Sequence, residues 1–177
     1  MVTRDSRDDP LPSEATATVC LMEHPKAIGD RATLAVMLAL QDTGYAVLVP
    51  FGENTRYDLV IDDGRRLSRV QCKTGRLRLG AVVFPTCSSY AHHPNPKVVQ
   101  RHYQGQVDVF GVYCPETGGV YLVPIEDAPT RRMAALRVLP CRNRQRTRIR
   151  WASDYEIAEV AITAGLRASA GAGGSSA

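Results

Sequence analysis

Apolar residues fall along this chain in two rhythms. From Gly29 the run Asp30-Arg-Ala-Thr-Leu-Ala-Val-Met-Leu-Ala-Leu-Gln-Asp-Thr43 is apolar on nearly every side between Leu34 and Leu40 and stops at Gly44. That pattern predicts a mostly buried helix with Asp30 as N-cap and Gly44 just past its end. The period then shortens to two. Tyr45-Ala-Val-Leu-Val-Pro-Phe51, Arg56-Tyr-Asp-Leu-Val-Ile61 and Leu67-Ser-Arg-Val-Gln-Cys-Lys73 read as strands, separated by turn-like Gly52-Glu53-Asn54-Thr55 and by the hairpin signal Asp62-Asp63-Gly64. A three-stranded antiparallel meander follows from this. Further strands are expected at 81–86, 107–113, 120–124 and 146–151, and a short helix around 155–160.

The 177 residues suffice for one compact domain with a core, and 44% apolar content is normal for a globular chain. Residues 1–18 are rich in charge, Pro and Ser/Thr, and 165–177 are almost entirely Ala, Gly and Ser. Both are expected to be flexible, which leaves a single domain over 19–164. The first residues carry charges with no apolar run behind them, so a cytoplasmic protein without a membrane segment is expected. Cys20, Cys72, Cys87, Cys114 and Cys141 are scattered singly, which suits reduced thiols rather than a disulfide framework or a zinc ribbon.

The net charge of +4 is modest, but its distribution is uneven. Eight arginines, at 131, 132, 137, 142, 144, 146, 148 and 150, lie in a segment without Asp or Glu. Such a stripe suits a polyanion, because each neutralised phosphate releases condensed counterions. A solvated basic edge strand has the same composition. Arg142, Arg144, Arg146 and Arg148 alternate, so on a strand they would share one cationic face.

The chemistry concentrates on the second hairpin. Gln71 and Lys73 are two apart and share a strand face, with Val70 and Cys72 turned to the core. A two-residue turn centred on Asp63-Gly64 would set position 58 opposite 69, so that Asp58 joins Arg69, Gln71 and Lys73, with Tyr57 and Leu59 sealing the other face. Another loop length would shift this register. A carboxylate, an amide oxygen and an ammonium on one face are the parts that phosphodiester hydrolysis needs: oxygen ligands for a divalent ion and a cation to orient or activate water. An ordinary polar surface with one incidental ion pair would also carry such residues.

Asp58-Leu-Val-Ile, a short hairpin, then Arg69-Val-Gln-Cys-Lys73-Thr-Gly, all downstream of a helix ending in Gly-Tyr, resembles the PD-(D/E)XK nuclease superfamily. Pro50 to Val60, the stretch Val70-Gln-Cys-Lys-Thr-Gly-Arg-Leu-Arg78 and Val112-Tyr-Cys-Pro-Glu-Thr117 are similar to its branch with Gln in the second acidic position, which includes a cyanobacterial group I intron homing endonuclease. The resemblance covers about residues 26–126. It implies an α/β (α+β) fold with a restriction-endonuclease-like core, a central mixed sheet and a buried N-terminal helix. It also implies a Mg²⁺-dependent, alternatively Mn²⁺-dependent, DNA endonuclease, site-specific as homing endonucleases are. A resolvase-like or repair nuclease, or a non-catalytic DNA-binding module on the same fold, are the alternatives. Carried over, Asp58 matches the metal-binding aspartate, Gln71 the second metal-site position and Lys73 the catalytic lysine. An amide offers a metal an oxygen but no charge, so a higher metal requirement is expected. Related Holliday-junction resolvases place a glutamate on the first helix; Thr33 stands at the corresponding place, and Asp30, one turn earlier, is the nearest carboxylate and the third metal-site candidate. Cutting two strands implies a homo-oligomer, dimer or tetramer.

Arg76 and Arg78 follow the active strand at alternate positions and suit phosphate contacts. Ser88, Ser89, Tyr90 and Asn95 are weaker candidates to lie near DNA, beside His92 and His93. Asp108 is expected either to support the site or to cap a strand. Cys87, His92, His93, His102 and Cys114 match no ordinary zinc spacing.

Overall fold

Pro25 sets where the helix begins. A proline, with φ already fixed and no N–H to satisfy, suits the first helical position. In the computed structural model α1 runs Pro25–Asp42, with His24 as N-cap accepting from the Lys26 N–H at 3.2 Å. Asp30 therefore lies in the second turn, and the expected Asp30 N-cap is corrected. The other end is as expected: Thr43 caps it and Gly44, at φ +87°, takes the left-handed position beyond. One stripe of α1, Ala32, Val36 and Leu40, is buried, whereas Leu34 and Leu38 are 66% and 61% exposed. The helix is thus covered on one side only, not nearly all round as its composition suggests.

The structure describes residues 24–128 apart from 53, 93 and 94, then 132–140, 147 and 149–157, with backbone alone at 89–92 and 95–99. Among the described residues ten strands follow α1: β1 Ala46–Leu48, β2 Leu59–Asp62, β3 Leu67–Thr74, β4 Arg76–Arg78, β5 Ala81–Pro85, β6 Cys87–His92, β7 Asn95–His102, β8 Val109–Tyr113, β9 Val120–Pro124 and β10 Met133–Arg137. The main sheet has the order β1-β2-β3-β8-β9. Its first three strands form the expected antiparallel meander, β3 and β8 run parallel, and β9 returns antiparallel, so the sheet is mixed. A second sheet has the order β10-β5-β4, and β6 and β7 form a two-stranded ribbon. The described residues form a mixed α/β fold. The ribbon, β4 and β10 lack clear apolar alternation in the sequence and are not among the expected strands.

Leu59 pairs with Val70 and Asp62 with Leu67, so four residues, 63–66, connect β2 and β3. The expected two-residue turn is corrected. Its cause is visible in the loop: Asp62 Oδ1 accepts from the Gly64 N–H at 2.8 Å, and Asp63 Oδ1 from the N–H groups of Arg65 and Arg66, both at 2.9 Å. These side chains reinforce a long main-chain closure, in which the Asp63 N–H donates to the Arg66 carbonyl at 3.4 Å. The register moves by two, an even number, which leaves the paired residues of β2 and β3 on their expected faces.

Two cores flank the main sheet. Val36 and Leu40 of α1 pack with Leu59, Ile61, Val70 and Cys72, and Gly111 lets the helix come close. A Cβ at Gly111 would stand 2.8 Å from Val36 Cγ1. The other core gathers Val82, Phe84, Tyr103, Phe110, Val112, Tyr121 and Leu136. Tyr57 packs against this second core, opposite to Leu59, because strand geometry begins only at Leu59; its expected placement beside Leu59 is corrected. At the far end Trp151 makes an isolated bridge to Arg137, and a 3₁₀ turn occupies Ala152–Tyr155 where a later short helix was expected. Of the expected 146–151 strand, residues 146 and 148 lie outside the described residues and the other four form no strand beyond that bridge, which corrects the expectation; residues 158–160 also lie outside the described residues. No helix among them is long and apolar enough to cross a membrane.

Candidate active site

β3 is an interior strand, held by β2 on one side and β8 on the other, and it fixes Gln71 and Lys73 on one face. Asp58 precedes β2 and is tied to β3 by its own N–H, which donates to the Val70 carbonyl at 2.9 Å. Asp58 Oδ2 accepts from the Cys72 N–H at 2.7 Å and, in a close contact, from the Gln71 amide. The Gln71 Nε2 is thereby committed to Asp58, which leaves the amide oxygen as the atom able to face an ion. Lys73 Nζ donates to the Tyr103 hydroxyl at 2.8 Å and stands 4.6 Å from the centre of that ring.

Electrostatically the site is a partly buried carboxylate with cations near it. Burial pushes the Asp58 carboxyl above the usual carboxylate range, while the Cys72 N–H, the Lys73 charge and the Gln71 amide pull the other way. Burial, then the Asp58 charge, push the Cys72 thiol up to about 12, so Cys72 stays protonated and is no nucleophile at neutral pH.

A groove between the start of α1 and the chain after β1 is lined by Asp30, Thr33, Leu34, Pro50, Tyr57 and Asp58. Asp30 and Thr33 thus line the same groove as Asp58, whereas Gln71 and Lys73 do not line it. Asp30 is exposed and lies 3.6 Å from Lys26 in an i,i+4 pair. Among the described residues no group of three or more His, Cys, Asp and Glu is placed to hold a metal. What the groove offers is oxygen, from the Asp58 and Asp30 carboxylates and the Thr33 hydroxyl, with the Gln71 amide in contact with Asp58 from β3. That donor set fits a hard divalent cation and not a thiophilic one.

Arg69 and Asp108 form a clamp instead of a catalytic contact. The guanidinium meets the carboxylate at 2.8 and 3.0 Å, the Arg69 N–H donates to the same carboxylate at 2.8 Å, and the Asp108 N–H donates to the Arg69 carbonyl at 3.0 Å. Bidentate pairing of this kind fixes geometry, here the start of the β3–β8 pairing, and the Arg69 hydrogen bonds hold the Asp108 carboxyl below the usual range. Of the proposed phosphate contacts, Arg76 lies 3.6 Å from Glu116 and Arg78 is exposed on β4. Arg142, Arg144, Arg146 and Arg148 lie outside the described residues, as do the side chains of Ser89, Tyr90 and Asn95. Ser88 Oγ accepts from Arg56 Nη1 at 2.9 Å. Sequence reasoning missed Arg56 and Tyr103, since no spacing rule links Lys73 to an aromatic residue thirty positions later.

The fold is similar to that of a bacterial homing endonuclease, I-Ssp6803I, with a TM-score of 0.62 at 23% identity, covering 82% of this chain and 97% of the other. The likeness places the domain among restriction-endonuclease-like folds. No curated protein matches the chain. The family model of PD-(D/E)XK endonucleases matches residues 23–158, most of the sequence and every element of the site just described, and the protein belongs to that family.

Proposed function

We propose that this protein is a divalent-metal-dependent endodeoxyribonuclease, with Mg²⁺ as its ion and Mn²⁺ as a substitute. The observation that carries this reading is the cluster on β3: a partly buried Asp58 gripped by Gln71 and the Cys72 N–H, with the Lys73 ammonium on the same strand face. Asp58 and the Gln71 carbonyl oxygen would hold the ion, with Asp30 reaching it across the groove as a third donor. When bound, the ion polarises the phosphoryl group and lowers the pKa of a coordinated water. Lys73 orients the attacking water and offsets the charge that develops on the phosphate oxygens. One certain carboxylate where two are usual makes the metal affinity low and the metal requirement correspondingly high.

The substrate is DNA, followed along its backbone by Arg76, Arg78 and the arginines at 142, 144, 146 and 148. Site-specific cutting is the finer proposal, supported by the fold's likeness to a homing endonuclease. One such site per chain makes a homo-oligomer the natural way to cut both strands. The test is nicking of supercoiled plasmid in Mg²⁺ or Mn²⁺ by the wild type, Lys73→Ala and Asp58→Ala. Cutting by the wild type and loss in both variants are expected. A wild type that binds DNA but leaves it intact with every divalent ion overturns the nuclease reading in favour of a non-catalytic DNA-binding module.

A further inference from the structure

Two cations converge on one buried tyrosine. Tyr103 is 4% exposed, its ring set edge-on against Phe110 with centroids 5.7 Å apart. The Lys73 ammonium lies 4.6 Å from the ring centre and donates to the hydroxyl at 2.8 Å. The Arg56 guanidinium lies 4.4 Å from the same centre. Arg56 is held in turn: it donates to Gln106 Oε1 at 2.8 Å, to Ser88 Oγ at 2.9 Å and to the carbonyls of Arg101 and His102. Five donors in a rigid fork, spent on four acceptors, leave the guanidinium little freedom.

A lysine on an open strand face ordinarily samples many rotamers. Lys73 makes no salt bridge among the described residues, and the side chain two positions earlier on its face is a neutral amide. What fixes the ammonium is Tyr103, through an electron-rich ring face and a hydroxyl acceptor together. This arrangement also leaves the Asp58 carboxylate uncommitted to Lys73, with its second oxygen open to an ion.

We infer that Tyr103 is the positioning residue for Lys73, and that Arg56 locks Tyr103 in place against the base of the β6–β7 ribbon. The inference rests on the nuclease reading for what Lys73 does, but not for where Lys73 is held. Because Arg56 grips Ser88 and the carbonyls of Arg101 and His102, displacement of that ribbon reaches the Lys73 ammonium through one guanidinium and one ring.

Two readouts separate position from activity. The first is the side-chain ammonium resonance of Lys73 in ¹⁵N-labelled protein, assigned by its loss in Lys73→Ala. In the wild type it is expected to be ring-shifted and slow to exchange; in Tyr103→Phe it keeps the ring shift and exchanges faster; in Tyr103→Leu it joins the exposed lysines. A Lys73 signal unchanged in Tyr103→Leu overturns the inference. Should Leu at 103 unfold the domain, Arg56→Lys gives the same test from outside the core, with the Lys73 signal expected to move towards the exposed set and an unchanged signal overturning the inference. The second readout is single-turnover cutting. Tyr103→Phe is expected to slow it about tenfold, with DNA affinity within about twofold of wild type. A Tyr103→Phe variant that cuts at the wild-type rate, or that loses DNA affinity in step with its rate, would make Tyr103 merely structural and overturn the inference. A wild type that shows the shifted signal but never cuts would sink the nuclease reading and leave the positioning intact.

Discussion

Gln71→Glu is the sharpest single perturbation, because it should harm the metal-free protein and help the metal-bound one. In the wild type the Gln71 amide donates closely to Asp58 Oδ2. A glutamate there loses a hydrogen bond to a charged group, about 1.5–3 kcal/mol. It also sets two carboxylates side by side, and at roughly 4 Å and an effective dielectric constant near 20 their repulsion is about 4 kcal/mol. Uptake of a shared proton and a swing of the new side chain into the groove limit the damage. A net loss of about 2–4 kcal/mol remains, and at about 2–4 °C per kcal/mol for a chain of this size the melting temperature should fall by roughly 5–15 °C in chelator. Saturating Mg²⁺ should restore most of it, since ligand binding to the folded state adds RT ln(1 + [L]/Kd). The Mg²⁺ concentration for half-maximal nicking should drop about tenfold or more, as a second negative oxygen ligand joins the first. The assays are thermal unfolding by circular dichroism with and without Mg²⁺ and a metal titration of plasmid nicking. A variant as stable as wild type in chelator, with the same Mg²⁺ requirement, would refute the idea that residues 58 and 71 share an ion.

Asp58→Asn should abolish cutting and raise stability at neutral pH. Burial raises the Asp58 carboxyl, so its contribution to stability is full below the unfolded pKa and is lost as pH rises through the higher folded value; the gain of Asn over Asp in urea midpoint should therefore grow from pH 3 to pH 7, and a constant gain would contradict the burial argument. Gly111→Ala puts a methyl group 2.8 Å from Val36 Cγ1 and 3.1 Å from Val70 Cγ1, and should cost about 1–3 kcal/mol in urea unfolding; an unchanged midpoint would mean α1 is free to lift off the sheet. Leu79 is 96% exposed and adopts φ +49°, a left-handed conformation that costs a branched side chain of order 1 kcal/mol. Leu79→Gly should therefore stabilise by up to about 1 kcal/mol, and a lower melting temperature would show that Leu79 makes a contact its exposure does not reveal.

That Gln71 and Lys73 share a face is readable from alternation alone; Asp58 is tied to them in the sequence only through the turn, and the error there does not part it from Gln71. Asp62 and Asp63 close a four-residue loop with their side chains, and dipeptide rules register only that a turn is present. Because the error in pairing was two residues, the period of the strand cancelled it. Asp30 fared differently. Pro25 and His24 carry the true helix start, five and six residues earlier, and a polar-then-apolar boundary concealed them. The β6–β7 ribbon was illegible because two strands that pair with each other and with no other strand need no buried face. Tyr103 and Arg56 were beyond reach for another reason: their meeting with Lys73 is made by tertiary folding, which leaves no local pattern.

The parallel pairing of β3 with β8 has a further meaning. Between Thr74 and Val109 the chain leaves the main sheet, builds β4 to β7, and returns. The site strand is complete only when that excursion closes, so a fragment ending at Thr74 would lack one of the two neighbours that hold β3 in place. That stretch is no slack loop, because Val82, Phe84 and Tyr103 of the second core lie on it. The strand that carries Gln71 and Lys73 and the core that seats Tyr103 are therefore finished by the same closure.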